Sequence, residues 1–173
     1  MANELAEILD RAYELIPDAK TGLPQEAFYF VSKLTPMVNV ELLIKNKDGQ
    51  SILSWRADNF YGPAWHMPGG IIRFKESIED RIMKVAQSEL GCRVSFLPEP
   101  LMVRPLVNNQ RDVRGHFISL LYLCKLESEP DSKLKADPLT PENGHWMWHE
   151  KAPQNLLSQH ESFRSFIDDT PAF

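Results

Sequence analysis

The chain is predicted to adopt an α/β fold, an α/β/α sandwich with a mixed sheet and an extra helical segment at its N-terminus. Three observations predict it. Short β-rich runs recur from residue 38 onward, and two longer amphipathic stretches, residues 77–90 and 154–167, punctuate and close them. A sheet that is apolar on both faces needs helices on both. The 173 residues, 43% hydrophobic and 25% charged, suffice for one core. The organisation expected is a helical extension over residues 1–35 and a main domain over 36–173.

Each element has its own signal. Asn3 is a candidate cap for a first helix whose apolar face is Leu5, Ile8, Leu9, Ala12, Leu15 and Ile16, and Pro17 is expected to end it. Residues 18–24 read as a linker. Pro24 opens a second helix over residues 25–33, stopped before Pro36. This extension has few partners of its own, so it is expected to dock on the body or on another subunit. Residues 38–44 are β-rich, and Lys47-Asp48-Gly49 reads as a hairpin turn into a strand over 51–55. A loop rich in Gly, Pro and aromatics follows over 57–68. A helix is predicted over 77–90 with Gly91 as its stop. Strands are expected at 93–96, 101–107, 116–126 and 146–149. A polar, proline-rich loop fills 127–141, and a closing helix 154–167.

The net charge of -5 argues against nucleic-acid binding through a basic surface. An anionic substrate then needs local cations, either arginines or a metal. Cys92 and Cys124 lie far apart in apolar runs, without zinc spacing, and read as buried thiols of a cytoplasmic protein. No apolar run is long enough to span a membrane. Glu4, Glu7 and Asp10 near the N-terminus do not fit an export signal.

The chemistry concentrates in Pro68-Gly69-Gly70, then Glu76, then Glu89-Leu90-Gly91. On a helix, Glu89 lies within roughly 40° of Ile78, Ile82 and Val85, the residues expected to face the core. A carboxylate there is costly unless paired or metal-bound, and the helix C-terminus disfavours its charge. Metal ligation explains both; a salt bridge to an arginine is the plainer alternative. Gly69 lets the backbone approach a ligand, so its carbonyl is a candidate for a hard cation. Glu76 opens the helix and serves equally well as cap, ion-pair partner or ligand. Arg56, Arg73, Arg111 and Arg114 are candidate phosphate binders, because a guanidinium fork matches phosphate oxygens. Phe28, Phe60, Tyr61 and Trp65 suit stacking on a base or sugar as well as a core. Glu142 and His145 lie in a loop ahead of the Trp146-Met147-Trp148 strand, a position where function is common. His66 adjoins the glycine turn, whereas His116 reads as structural.

This layout resembles a Nudix box: Gly, five residues, Glu, seven residues, then Arg-Glu-apolar-x-Glu-Glu-x-Gly-apolar. Gly70, Glu76, Glu89, Gly91 and Cys92 fit the spacing, while Lys84 replaces the arginine and Val85 and Ser88 replace two glutamates. Together with Gln25-Glu26-Ala27-Phe28, Thr35-Pro36-Met37-Val38 and a strand ending in Arg56, the depleted box resembles the GDP-mannose mannosyl hydrolase family. The similarity covers about Leu23 to Trp148. It implies a Nudix-like sandwich, a Mg2+ (or Mn2+) cofactor, and cleavage between sugar carbon and phosphate oxygen. It also implies metal ligation by the Gly69 carbonyl and Glu89, substrate contact by Phe28, and phosphate contact by Arg56. Ile71 stands where that family has an arginine, a role that could pass to Arg73. Glu142 and Asn143 stand where it has a Gln-His pair, a metal ligand and a general base. Glutamate suits a hard metal, but asparagine does not titrate, so the base would be His145 or Glu142.

The resulting expectation is a divalent-metal-dependent hydrolase of a nucleoside diphosphate sugar, releasing nucleoside diphosphate and free sugar. Two alternatives stand beside it: pyrophosphate cleavage at phosphorus, giving a nucleoside monophosphate and a sugar phosphate, and a non-catalytic nucleotide-binding module. The family resemblance and the apolar N-terminal helix further imply a homodimer.

Overall fold

The computed structural model describes residues 2–16 and 18–172. In chain order its elements are α1 (Ala2–Glu14), α2 (Gln25–Leu34), β1 (Met37–Ile44), β2 (Ser51–Arg56), β3 (Ala64–His66), β4 (Gly69–Ile71), α3 (Ile78–Leu90), β5 (Val94–Phe96), β6 (Met102–Val107), β7 (His116–Leu126), β8 (Trp146–His149) and α4 (Arg164–Asp169). The six residues from Asn39 to Ile44 are all buried, as befits a central strand covered on both faces. β1 pairs in parallel with β7, from Met37 opposite Phe117 to Ile44 opposite Cys124. Its other edge takes β4, antiparallel, with Glu41 opposite Gly69. The far edge of β7 carries β6 along its first half and β5 at its end. A smaller sheet has β2 in the middle, flanked by β3 and β8.

Alternation along β1 sorts the core into two halves. Val40, Leu42 and Ile44 pack with Ile82, Val85, Ala86 and Leu90 of α3. Leu43, on the opposite face, packs with Leu53, Leu121, Phe163 and Ile167. Helical segments thus cover both faces of a mixed sheet, the predicted α/β/α sandwich. α3 has sharp ends: Ser77 accepts a hydrogen bond from the Asp80 N–H at 3.0 Å, and Gly91 closes the helix with φ 64°.

Four local expectations give way. The turn at Lys47–Gly49 forms, with the Asn46 N–H donating to the Gln50 carbonyl at 3.0 Å, but the flanking strands pair only at Lys45 and Ser51 before the chain passes from one sheet to the other. The stretch over 57–68 contributes β3, and the glycine turn itself pairs as β4. The closing segment is a 3-10 turn over Ser158–Phe163 followed by the short α4, not one helix over 154–167. At the other end Asn3 lies inside α1, not ahead of it, while Pro17 lies outside the described residues. α2 follows Pro24 as predicted. The apolar face of α1 is not covered by the body: Leu5 and Ile8 are exposed, as is Leu15 just past its end. Among the described residues, no helix is long and apolar enough to cross a membrane.

Candidate active site

A cleft of about 1140 Å³ opens where β1, β4 and the end of α3 meet the segments around Arg56, His145 and His160. Glu89, in the last turn of α3, forms part of its wall. The Gly69 N–H donates to Glu89 Oε1 at 3.2 Å. Loss of water pushes the Glu89 carboxyl up to about 8; the Gly69 N–H opposes this, the neighbouring Glu41 charge adds to it, and Arg56 draws it back slightly. No arginine or lysine is paired with it among the described residues, so the salt-bridge alternative does not describe this glutamate.

The other carboxylate of the box has a structural task. The Glu76 side chain, 4% exposed, accepts from the Arg73 N–H at 2.9 Å, from Arg81 Nε at 2.8 Å and from Lys84 at 2.9 Å. Burial alone would raise its carboxyl, but these donors outweigh it and hold it at about 2. Lys84, at the box arginine's position, thus ties the loop to the helix. The missing glutamates are replaced differently: Val85 is core, whereas Ser88 remains on the cleft wall.

Two groups that sequence reasoning did not single out stand beside Glu89. Glu41, 4% exposed, projects from β1 on the same face as Asn39. Asn39 Nδ2 donates to Glu41 Oε1 at 2.5 Å, and Ser119 donates to Asn39 Oδ1 at 2.8 Å. His160 Nε2 faces the same Oε1 at 3.4 Å. The signal was present in the sequence: a glutamate inside an otherwise apolar strand is a buried charge that must be compensated. His160 carried no such signal, because only the 3-10 turn brings it in.

The backbone of Met67 fixes two imidazoles in opposite tautomers. Its N–H donates to His160 Nδ1 at 3.1 Å, and its carbonyl accepts from His66 Nδ1 at 2.7 Å. His160 therefore carries its proton on Nε2, toward Glu41, and His66 presents a bare Nε2. Burial, with His160 and Arg56 nearby, drops the His66 pKa to about 3, so it is neutral at ordinary pH.

A cluster of arginines is built on Tyr61 at the edge of the cleft, which Arg56 and Arg114 line and Arg111 does not. The guanidinium groups of Arg56 and Arg111 lie over its ring at 4.4 and 4.2 Å, and that of Arg114 at 5.4 Å. Arg56 is also paired with Asp58 at 2.6 Å. Arg114 holds a left-handed backbone, φ 55°, a strained choice for arginine. Nη1 of Arg111 and Nε of Arg114 are buried without a hydrogen-bond partner among the described residues. Unspent guanidinium donors of this kind suit phosphate oxygens.

The remaining candidates separate. His145 lines the cleft, but the Glu142 side chain is 79% exposed and turns away from it, 4.0 Å from His145. Asn143 also lines the cleft, and its Oδ1 accepts from the Ala57 N–H at 2.9 Å, fastening this loop to the end of β2. Arg73 lines a separate hollow near Gly22 and Leu23. Phe28 lies between the two, lining that hollow while Arg114 approaches its ring at 5.6 Å. Trp65 is core.

The donor set fits a hard divalent cation: carboxylates and a backbone carbonyl, all oxygen. A Cβ on Gly69 would lie 2.2 Å from Glu41 Oε2, so the glycine leaves the space that this carboxylate oxygen approaches.

Comparison with known proteins agrees with this geometry. The chain is 29% identical over 76 residues to the low-salt glycan biosynthesis protein Agl8 of Haloferax volcanii, spanning 44% of this chain and 48% of that protein. It is 28% identical over 91 residues to an ADP-ribose pyrophosphatase of Methanocaldococcus jannaschii, spanning 52% and 51%. The chain thus matches about half the length of these curated relatives. Its fold superposes on a NUDIX hydrolase from Nitrosomonas europaea with TM-score 0.58 at 17% identity, covering 80% of this chain and 76% of that one. The NUDIX domain model matches residues 35–169, and with that span the chain belongs to the Nudix hydrolase family.

Proposed function

We propose that this protein hydrolyses a nucleoside diphosphate sugar in a reaction dependent on Mg2+ or Mn2+, releasing nucleoside diphosphate and free sugar. The observation that carries the reading is the single box carboxylate, Glu89, offered by α3 to the cleft, where Val85 and Ser88 stand in place of its usual companions. One carboxylate from the box suits one cation, whereas activation of water at phosphorus commonly employs a larger carboxylate cluster. A bound cation would neutralise charge on the departing diphosphate. Glu89 and the Gly69 carbonyl would hold it. Arg56, Arg111 and Arg114 bind phosphate oxygens, and Tyr61 gathers those guanidinium groups over its ring. His145 is the base that draws a proton from the attacking water, since Glu142 points to solvent.

A second reading, attack at phosphorus, is supported by the similarity to an ADP-ribose pyrophosphatase. The exposed apolar face of α1, with Leu5 and Ile8 57% and 60% exposed, supports a homodimer in which this face is covered. The free, buried Cys92 and Cys124 support a cytoplasmic setting. Turnover of a panel of sugar nucleotides, with Mg2+, with chelator, and with Glu89→Gln, tests the main reading. Activity that chelator abolishes and Glu89→Gln lowers by orders of magnitude supports it; full activity of that variant contradicts it.

A further inference from the structure

We propose that Glu41 is a second carboxylate ligand of the divalent cation, facing Glu89 across Gly69 and aimed by His160. This rests on the metal-dependent hydrolase reading and extends it to residues outside the box.

The argument begins with strand parity. Asn39, Glu41 and Leu43 share one face of β1, and on that face Glu41 is buried to 4% exposure. A buried carboxylate needs compensation. Every contact it makes goes to one oxygen: Asn39 Nδ2 and His160 Nε2 both converge on Oε1. Ser119 Oγ holds Asn39 at 2.8 Å and lies 3.5 Å from the same Oε1. Oε2 has no hydrogen-bond donor and no lysine or arginine among the described residues. It lies on the Gly69 side, 2.2 Å from where a Cβ of that residue would be. The Gly69 N–H in turn reaches Glu89 Oε1. Two carboxylates therefore flank one glycine at the cleft wall, each with one oxygen secured and the other unpartnered.

Two carboxylates so close share either a proton or a cation set between the free oxygens. A hard divalent ion meets that demand, because it favours oxygen ligands and high negative charge. His160 acts on the ion only through Glu41 and is a positioning residue. With Nδ1 occupied by the Met67 N–H, its ring cannot turn without losing that bond, and Nε2–H stays directed at Oε1.

The test is binding of Mn2+ alone, followed by electron paramagnetic resonance, with thermal unfolding of each variant with and without Mn2+. Wild type should bind one ion and gain stability from it. Glu41→Gln should bind at least ~100-fold more weakly, and His160→Gln ~10-fold more weakly, the lower end of what loss of an outer partner costs. Wild-type affinity in Glu41→Gln, with binding lost in Glu89→Gln, would overturn the role of Glu41 while leaving the hydrolase reading intact. Absence of Mn2+ binding by wild type would overturn both. Should Glu41→Gln fail to fold, unchanged affinity in His160→Gln overturns the proposal.

Discussion

Glu41 and Gly69 pair across β1 and β4 so closely that a methyl group on the glycine would lie 2.2 Å from the Glu41 Oε2 and 2.8 Å from the Val40 carbonyl oxygen. No L side chain fits there without moving the strand or the carboxylate. Gly69→Ala should therefore destabilise the protein by about 1–3 kcal/mol, the usual range for overpacking, and lower activity at least tenfold. Urea unfolding and turnover on the same preparation check both. Gly49→Ala is the contrasting case: open space surrounds it, so only its backbone, φ 80°, resists.

Gly70 meets α3 in the same way, since a Cβ there would lie 2.8 Å from Val85 Cγ2. Val85 occupies a box-glutamate position and packs in the core against this glycine. Gly70→Ala should be strongly destabilising alone and less so combined with Val85→Ala, which vacates the space. A double-mutant cycle should return a favourable coupling of about 1 kcal/mol. Additive effects would place the clash elsewhere.

Glu76 sets the acid limit of this region. Its carboxyl is held at about 2 against an ordinary 4.5, so its contribution is complete above about pH 4.5 and is lost as pH falls through about 2. Glu76→Gln should cost about 2 kcal/mol at pH 7, the scale of hydrogen bonds to a charged group. The stability gap from wild type should close toward pH 2. Denaturant midpoints measured across that range check the sign.

Tyr61 organises the arginines, with Arg56 over its ring at 4.4 Å and Arg111 at 4.2 Å. Tyr61→Ala should raise KM roughly tenfold, equivalent to about 1.4 kcal/mol of lost phosphate binding, with a smaller change in kcat. Tyr61→Phe keeps the ring and should behave as wild type. A purely structural tyrosine would instead lower stability and leave KM unchanged.

Much of this was legible in the residues. The period of α3, its Ser77 start and its Gly91 stop fix the helix and turn Glu89 toward the glycine loop. The central strands are apolar enough to read directly. The passage of the chain between two sheets at Lys45–Ser51 was not legible, because a turn signal does not say whether the flanking strands pair with each other or with distant ones. Nor was the role of Asn143: the sequence places it where a base is expected, but its bond to the Ala57 N–H depends on how the loop returns to β2. Glu41 was visible as an anomaly within an apolar strand, with Asn39 beside it on β1, yet Ser119 comes from β7 and His160 from the 3-10 turn, which only tertiary packing assembles.

The most direct measurement is turnover of a sugar nucleotide with Mg2+ in oxygen-18 water, with products resolved by mass spectrometry. Label in the free sugar and none in the nucleoside diphosphate is the predicted result, because it places the attacking water on carbon. Label in a nucleoside monophosphate or a sugar phosphate would contradict it and place the attack at phosphorus.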